Sequence, residues 1–563
     1  MTINKRIILP TFIAAAVLGA VFVSMLPPAY GSEARAQGFD VVHYDIALEI
    51  HPEESSVEGT AILYVKRSEA NARSIVLKLE KSLDVIEVSI TAYPEKPAFE
   101  RKDDELVVFL PDELKEGAAS DEYSIKIKYA GGLRARKDGR SWSYVGKDSA
   151  YAVYEAYWYP QKPGDRATGT IKIIAPEGWK AVSNGELAST AESFVWQDNF
   201  QEVGFSFAAS KYEEVQGLNG HVEVKCYLIT RINNCDELLK DILLFMESKL
   251  GKYPYQKLAL AEVKDSLNGG HGDQTLIIMS SDIIKSDGKF LEFLAHETAH
   301  NWFGDLVTVK EFNERKNLFL LEATATYFST LYLETKDKAR ARKSLENMRR
   351  EYMYARKNLG DESIAETRED YGSIFHAVAY SKGAWVLHML RYTVGEENFY
   401  KIFREYFARY TWKDASIEDF ESLAQEVSGQ NLTWFFDEWL HKAVLPDFEI
   451  SGAEIKKLDD GTYSLELSIE QKGELIEMPA EIYIKTRNGE EIARRVNIKN
   501  REENVNFLLK EKPVFAEIDR GNFILEEKKT NNRKILSYGL NKDTINLVGY
   551  VLKERLRENL MLY

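Results

Sequence analysis

The sequence predicts a multidomain α+β protein, with an antiparallel β domain first, a mostly helical domain second and a β-sandwich third. Three observations carry that prediction. The chain has 563 residues, enough for about three or four domains. Apolar residues alternate with period two from about Tyr44 and again after Pro446, the pattern of half-buried strands. From about residue 288 to 443 the apolar spacing is that of helices. A composition of 44% hydrophobic and 29% charged residues is that of packed domains and excludes a disordered tail.

At the start of the chain, Lys5 and Arg6 precede an unbroken apolar run from Ile7 to Leu26 and then "PPAYGSEARAQ". A basic end before such a run is an export signal. The run approaches the ~20 residues that cross a bilayer. Residues 1–36 are therefore read either as a signal peptide, cleaved after Gly31 or Ala36, or as a retained membrane anchor with the body outside the cytoplasm.

Residues 38–215 read as the first β domain. "DIALEI" alternates Ile46, Leu48 and Ile50, and "YSIKIKYA" alternates Tyr123, Ile125, Ile127 and Tyr129. Asn184-Gly185 marks a turn. The second domain, 216–445, opens on the helix "CDELLKDILLFMESKLG", stopped by Gly251, and continues through "FLEFLAHETAHNWF", "NLFLLEATATYFSTLYLET" and "SKGAWVLHMLRYTVG". Alternation returns over 446–527 in "YSLELSIE" and "AEIYIKTRNGEEI", with a hairpin signal at Asn488-Gly489. The tail, 528–563, is polar and then carries Ile545, Val548, Leu552 and Leu556 near one face of an expected helix.

A net charge of −16 disfavours nucleic acid, since no basic footprint exists. The two cysteines, Cys226 and Cys235, fit no zinc spacing; one disulfide and two buried thiols stand equally open.

The chemistry is concentrated in "LAHETAHNWFGDLVT". His296 and His300 are four residues apart on an expected helix and share one face. Two imidazoles and a carboxylate are the ligand set of a catalytic zinc that keeps one position for water. Such a metal acidifies water and polarises a carbonyl, while an adjacent carboxylate, here Glu297, moves the proton. Leu291, Leu294, Trp302 and Phe303 flank the motif. The helix is thus interior, where histidines beside a glutamate need a partner. For the third ligand, Glu311 and Glu314 lie in the charged stretch "VKEFNERKN", whereas Glu322 is embedded in apolar "NLFLLEATATY", the stronger position for a metal-paired charge.

On these residues the chain resembles the aminopeptidase N-type zinc metallopeptidases, which are gluzincins. "HETAHNWFGDLVT" is similar to the family's H-E-x-x-H-x-W-F-G-N-x-V-T. "LFLLEATATY" is similar to L-W-L-N-E-G-F-A-x-Y, whose glutamate is the third ligand, and "AYSKGAWVLHML" to Y-x-K-G-A-x-x-L-x-M-L, whose tyrosine stabilises the oxyanion. Weaker likenesses extend from about residue 40 to 525. The resemblance implies a saddle-like N-terminal β domain, a thermolysin-like catalytic domain and a C-terminal β-sandwich. It also implies one zinc ion per chain on His296, His300 and Glu322, with Glu297 as base and acid and Tyr380 on the oxyanion.

Two departures stand out. The interval from His300 to Glu322 is longer than the family's, an insertion a loop absorbs cheaply. The family's G-x-M-E-N, whose glutamate grips the substrate α-amine, is replaced by "LNGGHGDQTLIIM". One register aligns Gly270 with the motif's glycine and sets Asp273 as a shorter acid; the other puts Gly272 there and loses the anchor. His271 stands open as an extra ligand or as part of a glycine-rich edge. Glu155, in "VYEAYWYPQKP", falls near where the family's first domain lends a second amine contact. His376 and His388 are read as structural.

The expected function is therefore extracytoplasmic, zinc-dependent hydrolysis of peptide or protein substrates, as an aminopeptidase, with a membrane link only through the N-terminal segment. Endopeptidase or dipeptide-releasing action, and a non-catalytic surface scaffold, stand as alternatives. Oligomeric state is not legible.

Overall fold

The computed structural model describes residues 38–536, except 70–71, 92, 111–121, 134–141, 265–266, 268, 287, 311–316, 368–372 and 527–531. The signal or anchor segment, Glu311, Glu314 and the helix expected near 545–556 lie outside the described residues. Among those described, no helix is long and apolar enough to cross a membrane.

The chain is a multidomain α+β fold made of two compact units. The first comprises the described residues within Met1–Asn347, Arg368–Tyr380 and Phe403–Phe420; the second those within Met348–Thr367, Ser381–Ile402 and Glu421–Tyr563.

The first unit begins with a seven-stranded sheet ordered 186–189, 194–202, 167–174, 39–51, 56–67, 122–132 and 83–90. Its inward residues, such as Ile46, Leu48, Leu63, Ile125 and Ile127, are fully buried, as period-two alternation requires. The antiparallel pattern has one exception. Phe39–His51 runs parallel to Ala167–Ile174, His43 opposite Thr168 and Glu49 opposite Ile174. Alternation reads the same for either direction, so only the long crossover between these strands distinguishes the two.

A five-stranded mixed sheet follows, ordered 213–219, 222–228, 257–263, 276–280 and 270–273. Lys257–Val263 and Leu276–Ser280 are buried along their whole length, as strands covered on both faces must be. Gly270–Asp273 is the last strand and pairs antiparallel with Leu276–Ser280. The helix Cys235–Leu250 has Asp236 and Glu237 in its first turn, Lys249 in its last, and stops at Gly251 with φ 113°. Cys226, within the strand Val222–Leu228, and Cys235, at the start of this helix, form a disulfide with Cα atoms 6.4 Å apart.

The helices Phe290–His300 and Thr324–Lys336 cover the sheet's neighbourhood. Phe303, just past the first, meets Phe328, Phe403 and Phe407 at ring-centroid distances of 5.4, 5.6 and 5.0 Å, pairs each contributing about 0.5–1.5 kcal/mol beyond area burial. The helical region is interrupted by a small parallel pairing of Val307–Val309 with Lys413–Ala415.

The second unit contains a three-stranded sheet ordered 448–457, 463–471 and 502–509, and a four-stranded sheet ordered 491–498, 478–486, 513–518 and 533–535. Within the stretch read from sequence as a polar tail, Arg533–Ile535 thus forms an edge strand, pairing with Pro513–Ile518. An edge strand this short and charged carries no alternation signal.

Candidate active site

Phe290–His300 is a buried helix. From Phe293 to His300 every residue is buried, although four of these eight, His296, Glu297, Thr298 and His300, are polar. One turn separates the two histidines, and their Nε2 atoms lie 3.1 Å apart. Glu322 reaches both: its Oε2 is 3.6 Å from His296 Nε2 and 3.5 Å from His300 Nε2. One ligand atom from each residue lies within 4.8 Å of the others, and all three residues are buried. This donor set and spacing suit one tetrahedral zinc with an open position.

Glu322 comes from a π-helical turn, Phe319–Ala323, which runs into Thr324–Lys336. Such turns carry an extra residue and occur often at functional sites. Burial alone would raise the Glu322 carboxyl; the facing His300 and His296 imidazoles overcome it and hold the group well below the usual carboxylate range. His300 Nδ1 donates to the Phe303 carbonyl at 3.0 Å, and His296 Nδ1 faces Thr326 Oγ1 at 3.4 Å. Both contacts aim Nε2 inward, the outer-shell arrangement of metal-binding imidazoles. Thr326 was not legible as a partner, although it lies one turn beyond Glu322.

Tyr380 also sits in a π-helical segment, His376–Lys382. Its ring lies parallel to His296, centroids 6.3 Å apart, and stacks on His376 at 4.5 Å. His376 is therefore a support for Tyr380, while His388 Nε2 faces the Asn522 carbonyl in the second unit.

Glu297 is buried, and its Oε2 has no hydrogen-bond partner. Opposite it runs the edge strand. A Cβ on Gly270 would meet Glu297 Cγ at 2.9 Å and Oε1 at 3.0 Å; one on Gly272 would meet the Glu297 backbone oxygen at 2.3 Å. The two glycines thus exist to let the strand lie against the helix. Backbone cannot swing aside, so Gly272→Ala is expected to cost roughly 1–3 kcal/mol, seen as a lowered thermal midpoint; an unchanged midpoint would refute this packing. The hairpin is further tied down where Asn301 Oδ1 accepts from Tyr253 Oη at 2.8 Å and from Thr275 N at 3.0 Å.

His271 and Asp273 alternate with these glycines and turn the other way. Asp273 accepts from Ser206 Oγ and lies 3.1 Å from His271 Nε2; the same nitrogen is 3.3 Å from Glu155 Oε2. All three residues are buried. Burial raises Glu155, partly offset by His271, to about 7. Burial would lower His271, but Glu155 and Asp273 push it up to about 10. His271 does not join the three metal-ligand candidates. Trp142 and Tyr154 flank its ring at 6.1 and 5.9 Å. Ser206, Trp142 and Tyr154 were invisible in sequence because only tertiary folding brings them here.

A buried His-His-Glu group on successive helical segments, with a free carboxylate and an edge strand beside it, defines a metallopeptidase-type catalytic domain. Residues 236–439 match the peptidase family M1 domain. It is similar to glutamyl aminopeptidase of Homo sapiens, 24% identical over 471 residues that cover 73% of this chain and 47% of that protein. The chain thus spans about half the length of this relative. Among solved structures it resembles Legionella pneumophila aminopeptidase A in complex with aspartic acid, with TM-score 0.68 and 18% identity over 92% of this chain and 61% of that one. It also resembles a mutant M1 zinc metallopeptidase from Deinococcus radiodurans bound to a Tyr-Ser-Ala substrate, with TM-score 0.59 and 21% identity over 73% of this chain and 96% of that one.

Proposed function

We propose that the chain is a zinc-dependent aminopeptidase acting outside the cytoplasm, with one zinc ion held by His296, His300 and Glu322. The observation that carries this reading is Glu297, a buried carboxylate left with an unbonded oxygen directly beside the triad. An interior charge so exposed to desolvation has a use if it receives a proton. Bound to the triad, zinc supplies the Lewis acidity that acidifies water and polarises the scissile carbonyl.

The chain's own groups do the rest. Glu297 takes the proton of the attacking water and returns it to the leaving nitrogen. The Tyr380 hydroxyl donates to the carbonyl oxygen as charge gathers there. Gly270–Asp273, last in its sheet, can pair its outer edge with an extended substrate backbone. Glu155 and Asp273 are the acids available to an α-ammonium group. Export is supported by the basic-then-apolar N-terminal run and by the Cys226–Cys235 disulfide, a bond kept in oxidising compartments.

The second reading, cleavage of internal bonds or release of dipeptides, is favoured by one observation: Asp273 is already engaged by Ser206 and His271. A matched pair of peptides separates the two. With zinc-loaded protein, a peptide with a free N-terminus is expected to be cut one residue at a time and its N-acetylated twin at least about tenfold more slowly, with Glu297→Gln as the inactive control. Equal rates would refute aminopeptidase action. Silence on both, with zinc bound, would favour the scaffold.

A further inference from the structure

The acids beside the edge strand are not an empty receptor. Asp273, Glu155 and His271 are at least nine-tenths buried, and two carboxylates that deep in the protein are costly unless a cation faces them. His271 is that cation, with one nitrogen, Nε2, turned to both, 3.1 Å from Asp273 Oδ1 and 3.3 Å from Glu155 Oε2. One N–H cannot serve two acceptors equally. The contact with Asp273 meets hydrogen-bond geometry, and Asp273 also holds Ser206 through its second oxygen. Glu155 Oε2 faces the imidazole without a hydrogen bond. The acids therefore divide: Asp273 fastens His271, and Glu155 keeps an acceptor atom unfilled. Trp142 and Tyr154 flank the imidazole and hold it at that place.

Resting on the aminopeptidase reading above, the geometry points to His271 as a specificity-determining residue, a resident cation that competes with the substrate's α-ammonium for Glu155 and so sets how strongly the site prefers free N-termini. A substrate ammonium fits the unfilled acceptor of Glu155, since it brings three donors where His271 brings none to spare. While His271 stays, part of the carboxylate's attraction is already neutralised. Without it, the incoming ammonium takes over as the cation that pairs the two buried acids, Glu155 and Asp273.

The test uses the zinc-loaded full chain in a Glu297→Gln background, so that peptides bind without turnover. Calorimetry measures Kd for a tripeptide with a free N-terminus and for its acetylated twin. The expected result is that His271→Ala raises the ratio of acetylated to free Kd by tenfold or more. His271→Gln, which keeps a hydrogen-bond donor of similar reach and guards against misfolding of the alanine variant, is expected to raise it less. Adding Glu155→Gln to His271→Ala is expected to abolish the gain. A ratio that stays the same or falls in both His271 variants overturns the proposal, as does a gain that survives Glu155→Gln. A purely structural role for His271 would weaken both peptides together and leave the ratio unmoved. If the unmodified chain cuts peptides while the ratio is unmoved, the proposal alone falls. If neither peptide binds any of these proteins, the proposal and the aminopeptidase reading fall together.

Discussion

Glu297→Gln is expected to lower kcat for peptide hydrolysis by roughly 10²–10⁴-fold, the usual contribution of general acid–base catalysis, with bound zinc unchanged. Glutamine has the shape of glutamate but cannot accept a proton. Its amide also fits the space, because the neighbours that limit it are Gly270 and Gly272, which leave the side chain where it is. Rate and metal content must be measured on the same preparation. Full activity with glutamine at 297 would remove this residue from the chemistry, and loss of zinc along with the rate would make it a ligand or a support instead.

The second large effect belongs to Glu322. Glu322→Ala leaves two histidines whose Nε2 atoms are 3.1 Å apart with no anion to complete the set. Zinc affinity is expected to fall by more than the roughly 10–100-fold that loss of an outer-shell partner costs, and activity with it. Thr326→Val, which removes only the hydroxyl beside His296 Nδ1, marks the smaller effect for comparison. Metal content after dialysis against a zinc buffer, read by atomic spectroscopy, decides the matter. Stoichiometric zinc in Glu322→Ala would exclude it as a ligand.

Much of this site was legible because its parts are local. His296, Glu297 and His300 lie within five residues, where helix geometry alone sets their relation. Glu322 stood out because a charge amid leucines and phenylalanine needs a reason to be buried. The π-helical turn that delivers it was not legible, since one extra residue per turn leaves no mark on an apolar pattern. Tyr380 was reached through resemblance, and its stacking between His296 and His376 came only from the structure. The edge strand shows the limit most plainly. Its glycines could be seen, but not what they lie against, and the partners of His271 and Asp273 come from residues 142, 154, 155 and 206, distant in the chain from the strand itself. The disulfide was undecidable for a related reason, because a short spacing permits a bond without requiring one.

The parallel pairing in the first sheet bears on how the chain is made. His43 and Thr168, opposite each other, are 125 positions apart. A ribosome adding about 5–20 residues per second reaches the second strand roughly 6–25 s after the first. Phe39–His51 can close at once on Ser56–Arg67, but its other edge waits, with Val41, Ile46 and Leu48 beside unpaired backbone groups that any neighbouring nascent chain could join. Slower elongation therefore lengthens the interval in which that edge stays open, whatever the stability of the finished fold.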